Sequence, residues 1–199
     1  MHNIAYHIPV MLEECLSGLN IDPNGTYIDL TFGGGGHSRE ILKKLDKGHL
    51  YGFDQDPDAE KNAPDDEKFT FVMANFRDLR RYLKIYGVEK VDGILADLGV
   101  SSHQIDEPSR GFSTRFEGKL DMRMSQSGDV SAATILNTYE EEALHKIFGI
   151  YGEIRNAKTL ARAIVSTRAN IPFESIPDFK NLLDKYAPRG KYAKYSAQV

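Results

Sequence analysis

The chain has a single cysteine, Cys15, in 199 residues. No disulfide can close within it, and a cysteine-based zinc site is excluded. No stretch approaches the roughly 20 apolar residues of a membrane span. The opening Met-His-Asn-Ile-Ala-Tyr-His lacks the basic and apolar blocks of a signal peptide. A reducing cytoplasm and no membrane partner are therefore expected. Internal repeats and low-complexity tracts are absent as well. Three ligand signatures fail on inspection. The dinucleotide fingerprint Gly-x-Gly-x-x-Gly needs a third glycine, but counting from Gly33 it falls on Ser38, and from Gly34 on Arg39. A phosphate loop ending in Gly-Lys-Ser/Thr is missing. Asp54, Asp56 and Asp58 alternate as in a calcium loop, yet Pro57 breaks that geometry, the sixth position is Ala59 and the twelfth is Asp65. No metal site is expected.

What is present is organised around residues 26–39, Thr-Tyr-Ile-Asp-Leu-Thr-Phe-Gly-Gly-Gly-Gly-His-Ser-Arg. Three β-favouring residues and an aspartate lead into four glycines, and Ile41, Leu42 and Leu45 follow at helical spacing. The pattern is strand, tight loop, helix. Four consecutive glycines are entropically costly and are kept where a backbone turns sharply or a ligand comes close. Asp29-x-x-x-Gly33-x-Gly35 is the arrangement of S-adenosylmethionine methyltransferases. That cofactor has no pyrophosphate to seat, but its ammonium and sulfonium suit a nearby carboxylate.

Apolar content of 41% and charge content of 27% predict a folded core, and the length allows one domain or one with a small insert. Residues 7–19 predict a short helix begun near Pro9. Strands are predicted at 26–29, 49–54, 69–75 and 91–98, with helices after the glycine loop, at Pro57 and over 76–86. Strands alternating with helices give a doubly wound parallel sheet, with Asp29, Asp54, Asn75 and Asp97 lining one edge. Asp54 ends the second strand, where a ribose diol is held in nucleotide-binding α/β folds. Phe76, taken alone, is expected in the core. Residues 103–130 are expected as a mobile or functional loop. Helices are expected over 132–137, 140–151, 154–169 and after Pro177. Charge is uneven: residues 155–199 hold nine Lys/Arg against three acids, so the preceding part carries −10. A basic segment on an acidic body points to a polyanion or to a solvated helix face.

Several stretches in order resemble one family: His7-Ile-Pro-Val-Met-Leu-Glu-Glu, Asp29-Leu-Thr-Phe-Gly-Gly-Gly-Gly-His-Ser, Gly93-Ile-Leu-Ala-Asp-Leu-Gly-Val-Ser-Ser-His-Gln, Arg110-Gly-Phe-Ser and Leu120-Asp-Met-Arg-Met. Together they are similar to the bacterial ribosomal RNA small subunit methyltransferase H family, over essentially the whole chain. The resemblance implies methylation of the exocyclic N4 of a cytosine in the decoding region of 16S rRNA, with S-adenosylmethionine as cofactor. The expected partner is 16S rRNA or the small ribosomal subunit, with a possible homodimer. It implies a Rossmann-like class I methyltransferase sheet carrying an inserted, mostly helical domain. Residues 1–105 would form the cofactor domain and 106–199 the loop and helical insert that meets RNA. Members of the family continue beyond this length, so the family's C-terminal strands are expected to be missing and the fourth strand to keep a bare edge.

The resemblance places cofactor contacts at Gly35, Gly36, His37, Asp54, Phe76, Asp97 and Gln104. Asp97 is the candidate catalytic acceptor for N4–H, or serves only the cofactor. Arg155, Lys158 and Arg162 share a predicted helix face, and with Arg189, Lys191 and Lys194 they are the candidate RNA contacts. Phe112 is a candidate wall for a flipped base. Two other readings stand beside this one: a nicotinamide-type oxidoreductase, and a non-catalytic RNA-binding or assembly protein that retains a cofactor fold.

Overall fold

The computed structural model describes residues 9–199. His7 and Ile8, the start of the first motif, lie outside the described residues. The chain separates into two compact units, residues 1–99 and 100–199.

The first unit is an α/β sandwich. Its helices are α1 (Leu12–Leu19), α2 (Gly36–Leu42), α3 (Pro57–Glu60) and α4 (Leu79–Ile85, preceded by a 3-10 turn over Phe76–Asp78). Its strands are β1 (Thr26–Asp29), β2 (His49–Asp54), β3 (Phe69–Met73) and β4 (Gly93–Leu95). The pairings of this sheet are parallel, in the order β3-β2-β1-β4. Successive side chains on a strand face opposite ways, and both faces are apolar. Tyr27 and Leu50 pack with Leu16 of α1, Ile41 and Leu42 of α2, and Leu45 just past α2. Ile28, Tyr51, Phe53 and Val72 pack on the other side with Leu79 and Leu83 of α4. The doubly wound sheet is thus observed. The fourth strand is three residues long, against the eight expected, and the last residues of that run lie beyond the ladder.

The second unit packs helices around one core. They are α5 (Ser102–Asp106), α6 (Ala132–Thr138), α7 (Glu141–Lys146, running into a π turn over Ile147–Tyr151), α8 (Ala157–Arg168), α9 (Ile176–Tyr186) and α10 (Tyr192–Gln198). Leu136, Leu144, Phe148, Leu160, Ile164, Phe173, Phe179 and Leu183 are central to it. α8 begins at Ala157 rather than Ile154, so Arg155 precedes the helix.

The stretch 103–130, expected as a mobile or functional loop, is tied down around Arg110 and residues 121–124. The Arg110 guanidinium, 2% exposed, donates to the carbonyls of Arg123 and Met124 at 2.9 and 3.0 Å. Met122 N–H donates to the Arg110 carbonyl at 3.0 Å. Arg123 grips both oxygens of Asp121, at 2.9 and 2.6 Å. The Arg110-Gly-Phe-Ser and Leu120-Asp-Met-Arg-Met motifs therefore form a single knot, with Leu120 in the core. Met122 is held there at φ 57°, a conformation costing a non-glycine residue about 1–2 kcal/mol.

Candidate functional site

The strand order reverses between β1 and β4, and in open α/β sheets ligands bind outside the carboxyl ends of strands at such a point. Asn75, Asp54, Asp29 and Asp97 follow the four strands at that end. Their side chains differ in what they do.

Asp29 is turned inward, 1% exposed. It accepts from Ser38 Oγ at 2.7 Å and from Thr31 N–H at 3.0 Å. Burial pushes its carboxyl above the usual value, against the pull of those two donors. The acid expected beside a cofactor ammonium is instead the brace between β1 and the first turn of α2. Thr31 carries the brace onward: its Oγ1 accepts the Asp97 N–H at 2.8 Å. Asp97 itself is exposed.

The four glycines have separate reasons. Gly33 and Gly35 sit at φ 50° and 72°, where glycine carries no steric cost. A Cβ on Gly35 would strike the buried Phe32 ring at 2.8 Å, and one on Gly36 would strike Pro9 Cγ at 2.4 Å. Gly34 is different, because a Cβ there meets nothing within 4 Å. Neither packing nor a positive φ requires that glycine, and the space beside it is open. The loop's carbonyls are held from behind. Asn62 Nδ2 donates to Gly33 O at 3.1 Å, and Arg39 donates to Gly34 O. His37 is 8% exposed, and its Nε2 donates to the Val10 carbonyl at 3.1 Å. One ring nitrogen of His37 is thus held by backbone.

Asp54 is half-buried at the tip of β2. Gly33 N–H donates to Oδ2 at 2.7 Å and Asp56 N–H to Oδ1 at 2.9 Å. Burial raises its carboxyl overall, opposed by the N–H groups of Asp56, Gly33 and Gln55. A carboxylate has about four lone-pair sites, so room remains for a further hydroxyl donor. Phe76, expected in the core, is 43% exposed. Asn75 caps the 3-10 turn that carries it, accepting from Arg77 N–H at 2.9 Å and donating to Gln55 Oε1 at 2.8 Å. The two residues before that turn lie against the tip of β2, where the Asp54 carbonyl accepts Ala74 N–H at 2.9 Å and Asn75 meets Gln55.

These features fit S-adenosylmethionine: a half-buried carboxylate with spare acceptor capacity for a diol, an exposed aromatic face, and a glycine loop open at Gly34. Gln104 belongs to the second unit and is 6% exposed. It is the N3 residue of a capping box on α5, exchanging hydrogen bonds with Ser101 at 3.1 Å each. The Ser-x-x-Gln spacing is a helix-start signal that is readable in sequence. Thr31, Ser38, Phe32 and Asn62 were not singled out by sequence, because each acts through a contact that only the fold creates. Among the described residues, no three His, Cys, Asp or Glu side chains come together to hold a metal, and no helix is long and apolar enough to cross a membrane.

The candidate RNA contacts are exposed, but their settings differ. Arg162 faces Glu141 at 3.6 Å, and Lys158 shares a surface depression with Glu141, Glu142 and His145. Arg189, Lys191 and Lys194 lie around the start of α10.

The ribosomal RNA small subunit methyltransferase H of Cytophaga hutchinsonii is 58% identical over 196 residues, covering 98% of this chain and 66% of that protein. The protein of the same name from Phocaeicola vulgatus is 54% identical, covering 98% and 64%. This chain thus spans about two thirds of the length of the curated relatives it matches. Among solved structures, a putative methyltransferase from an antibiotic biosynthesis pathway of Anabaena variabilis shares 12% identity at a TM-score of 0.36, covering 89% of this chain and 61% of that one. The MraW methylase family model matches residues 4–198. The chain belongs to the MraW methylase family.

Proposed function

We propose that this chain carries the cofactor-binding and RNA-recognition parts of an S-adenosylmethionine-dependent methyltransferase acting in the cytoplasm on small-subunit ribosomal RNA, at the exocyclic N4 of a cytosine in the decoding region. The observation that supports it best is the set of groups at the carboxyl ends of β1, β2 and β3: Asp54 with spare acceptor capacity and bonded to the glycine loop through Gly33 N–H, Gly34 open, and Phe76 exposed. The names of the relatives at 58% and 54% identity support the substrate class.

When bound, S-adenosylmethionine supplies a methyl group on a sulfonium with a good leaving group. The residues' task is then mainly alignment. Asp54 accepts the ribose hydroxyls, Phe76 offers its ring to the adenine, and the backbone N–H groups of Gly36 and His37 serve the carboxylate, since the Gly35 N–H already donates to the Phe32 carbonyl at 2.7 Å. The family resemblance adds Gln104. Asp97 is fixed through its backbone by Thr31 and has an exposed carboxylate. It accepts the N4–H of cytosine, which favours a pyramidal nitrogen as positive charge develops. The base must leave its stack to reach the site, and Phe112 is the candidate wall. The substrate is 16S rRNA or the assembled subunit, with the protein as a homodimer.

The test is a calorimetric titration with S-adenosylmethionine, with NAD as control, followed by labelled methyl transfer to small-subunit RNA. Saturable binding of the first alone, with label in cytosine N4, is expected. Binding of NAD alone overturns the cofactor assignment. Cofactor binding without methyl transfer to RNA or subunits leaves a non-catalytic RNA-binding protein.

A further inference from the structure

The basic C-terminal segment looks uniform in sequence, but the fold sorts its cations by what each already meets. Arg168 Nη1 donates to the carbonyls of Leu136 and Tyr139 at 2.9 and 2.6 Å, which satisfies the end of α6. Lys180 Nζ donates to the Thr114 carbonyl at 3.0 Å. Arg162 and Lys158 stand beside Glu141 and Glu142. A phosphate approaching the α8 face would meet two carboxylates as well as the cations, which cancels much of the attraction.

Five cations remain. Arg155 stands alone ahead of α8; the other four cluster in sequence, Lys185 in the last turn of α9, Arg189, Lys191 and Lys194. These four are exposed, and among the described residues none takes part in an ion pair. They surround a tight turn in which Lys191 N–H donates to the Pro188 carbonyl at 3.0 Å, with Gly190 at φ 73°. The turn fixes Arg189 and Lys191 on either side of the glycine. The one acid over 184–194 is Asp184, engaged by the Tyr192 hydroxyl. Lys191 and Lys194 stand at the start of α10, the helix end where a cation is unfavourable. Helix stability therefore does not account for them.

We propose that the α9–α10 elbow, Lys185, Arg189, Lys191 and Lys194, is the surface that holds the phosphodiester backbone of the RNA substrate, and that the α8 face is not. The proposal rests on the rRNA reading above and names its docking surface. Phosphate contacts position an RNA without reading its bases, so this surface sets affinity and salt dependence. Base choice lies elsewhere.

The test compares two sets of substitutions in the full chain, Lys185→Gln/Arg189→Gln/Lys191→Gln/Lys194→Gln and Arg155→Gln/Lys158→Gln/Arg162→Gln. The probe is a fluorescein-labelled hairpin fragment of small-subunit rRNA, followed by anisotropy over a range of salt. Removing one cation from a phosphate flattens the slope of log K against log salt by about 0.7–0.9. The elbow set of four is expected to flatten it by about 3–3.5 and to weaken binding more than about tenfold. The α8 set is expected to stay within about twofold. S-adenosylmethionine affinity, measured by calorimetry, should be unchanged in both, which shows that the variants fold. Single Lys191→Gln and Lys194→Gln variants repeat the comparison at smaller cost to the surface. Weakening confined to the α8 set overturns the elbow and leaves the rRNA reading intact. No RNA binding by the unsubstituted chain, with cofactor binding retained, overturns both. Vesicles containing phosphatidylserine that bind through the elbow more tightly than RNA does would reassign it to a lipid surface.

Discussion

Replacing Ser38 by alanine tests the brace beneath the glycine loop. Ser38 is 0% and Asp29 1% exposed, and the hydroxyl donates to the carboxylate at 2.7 Å. Water cannot take the donor's place. A hydrogen bond to a charged group contributes about 1.5–3 kcal/mol, and alanine fits within the space serine fills, so a destabilisation of about 2 kcal/mol at neutral pH is expected. The pH dependence gives a second handle. Burial raises the Asp29 carboxyl above its ordinary 3.8, and the Ser38 bond opposes that rise. Between the unfolded and the raised folded value, the folded state binds more protons. Asp29's contribution to stability is thus most favourable below the ordinary value and falls as pH rises through the folded value. Without Ser38 the folded value moves higher still. The penalty of the substitution should therefore be larger at neutral pH and shrink as the medium is acidified toward the ordinary carboxyl value. Urea unfolding followed by circular dichroism, at about pH 7 and about pH 4.5, measures both. A penalty below about 0.5 kcal/mol at neutral pH, or one that does not shrink in acid, refutes the reasoning.

Gly36→Ala should lower stability by about 1–3 kcal/mol against the Pro9 ring, whereas Gly34→Ala should unfold within about 0.5 kcal/mol of the parent yet bind S-adenosylmethionine more weakly; urea unfolding and calorimetry together separate them. Thr31→Val should speed amide exchange at Asp97, whose N–H is left without its acceptor, and Thr31→Ser should not. Asp54→Ala should weaken cofactor binding about 10- to 100-fold, the worth of one charge-assisted hydrogen bond; unchanged calorimetric affinity would remove Asp54 from the site. Arg168→Met should destabilise the second unit by about 1–3 kcal/mol through two orphaned carbonyls, and anisotropy with the RNA hairpin should show affinity intact.

Periodicity carried most of the fold. Strands β1 and β2 and the helix at Pro57 fall where the pattern puts them, because alternating or clustered apolar residues have few ways to be buried together. The short β4 and the late start of α8 were not legible, because strand and helix ends depend on which partner ladder or cap is available. Phe76 was misplaced for a similar reason. Its spacing matches the apolar stripe of α4, but the Asn75 cap starts a 3-10 turn that rotates it out.

The sequence by itself determined that a parallel α/β sheet would carry a glycine loop, that Asp54 and Asp97 would stand at strand ends on one edge of it, and that the C-terminal segment would be basic. Those are properties of local pattern and composition. Only the tertiary structure decided what the polar side chains do. Asp29 and Asp54 look equivalent as strand-ending acids, yet one is sealed against Ser38 and the other keeps acceptor sites open. Nine cations look equivalent in a basic segment, yet Arg168 and Lys180 bind carbonyls, Arg162 meets a carboxylate, and the elbow cations pair with no acid among the described residues. Burial and partner choice are set by residues distant in sequence, and it is burial and partner that turn a charge into a brace, a ligand contact or a docking surface.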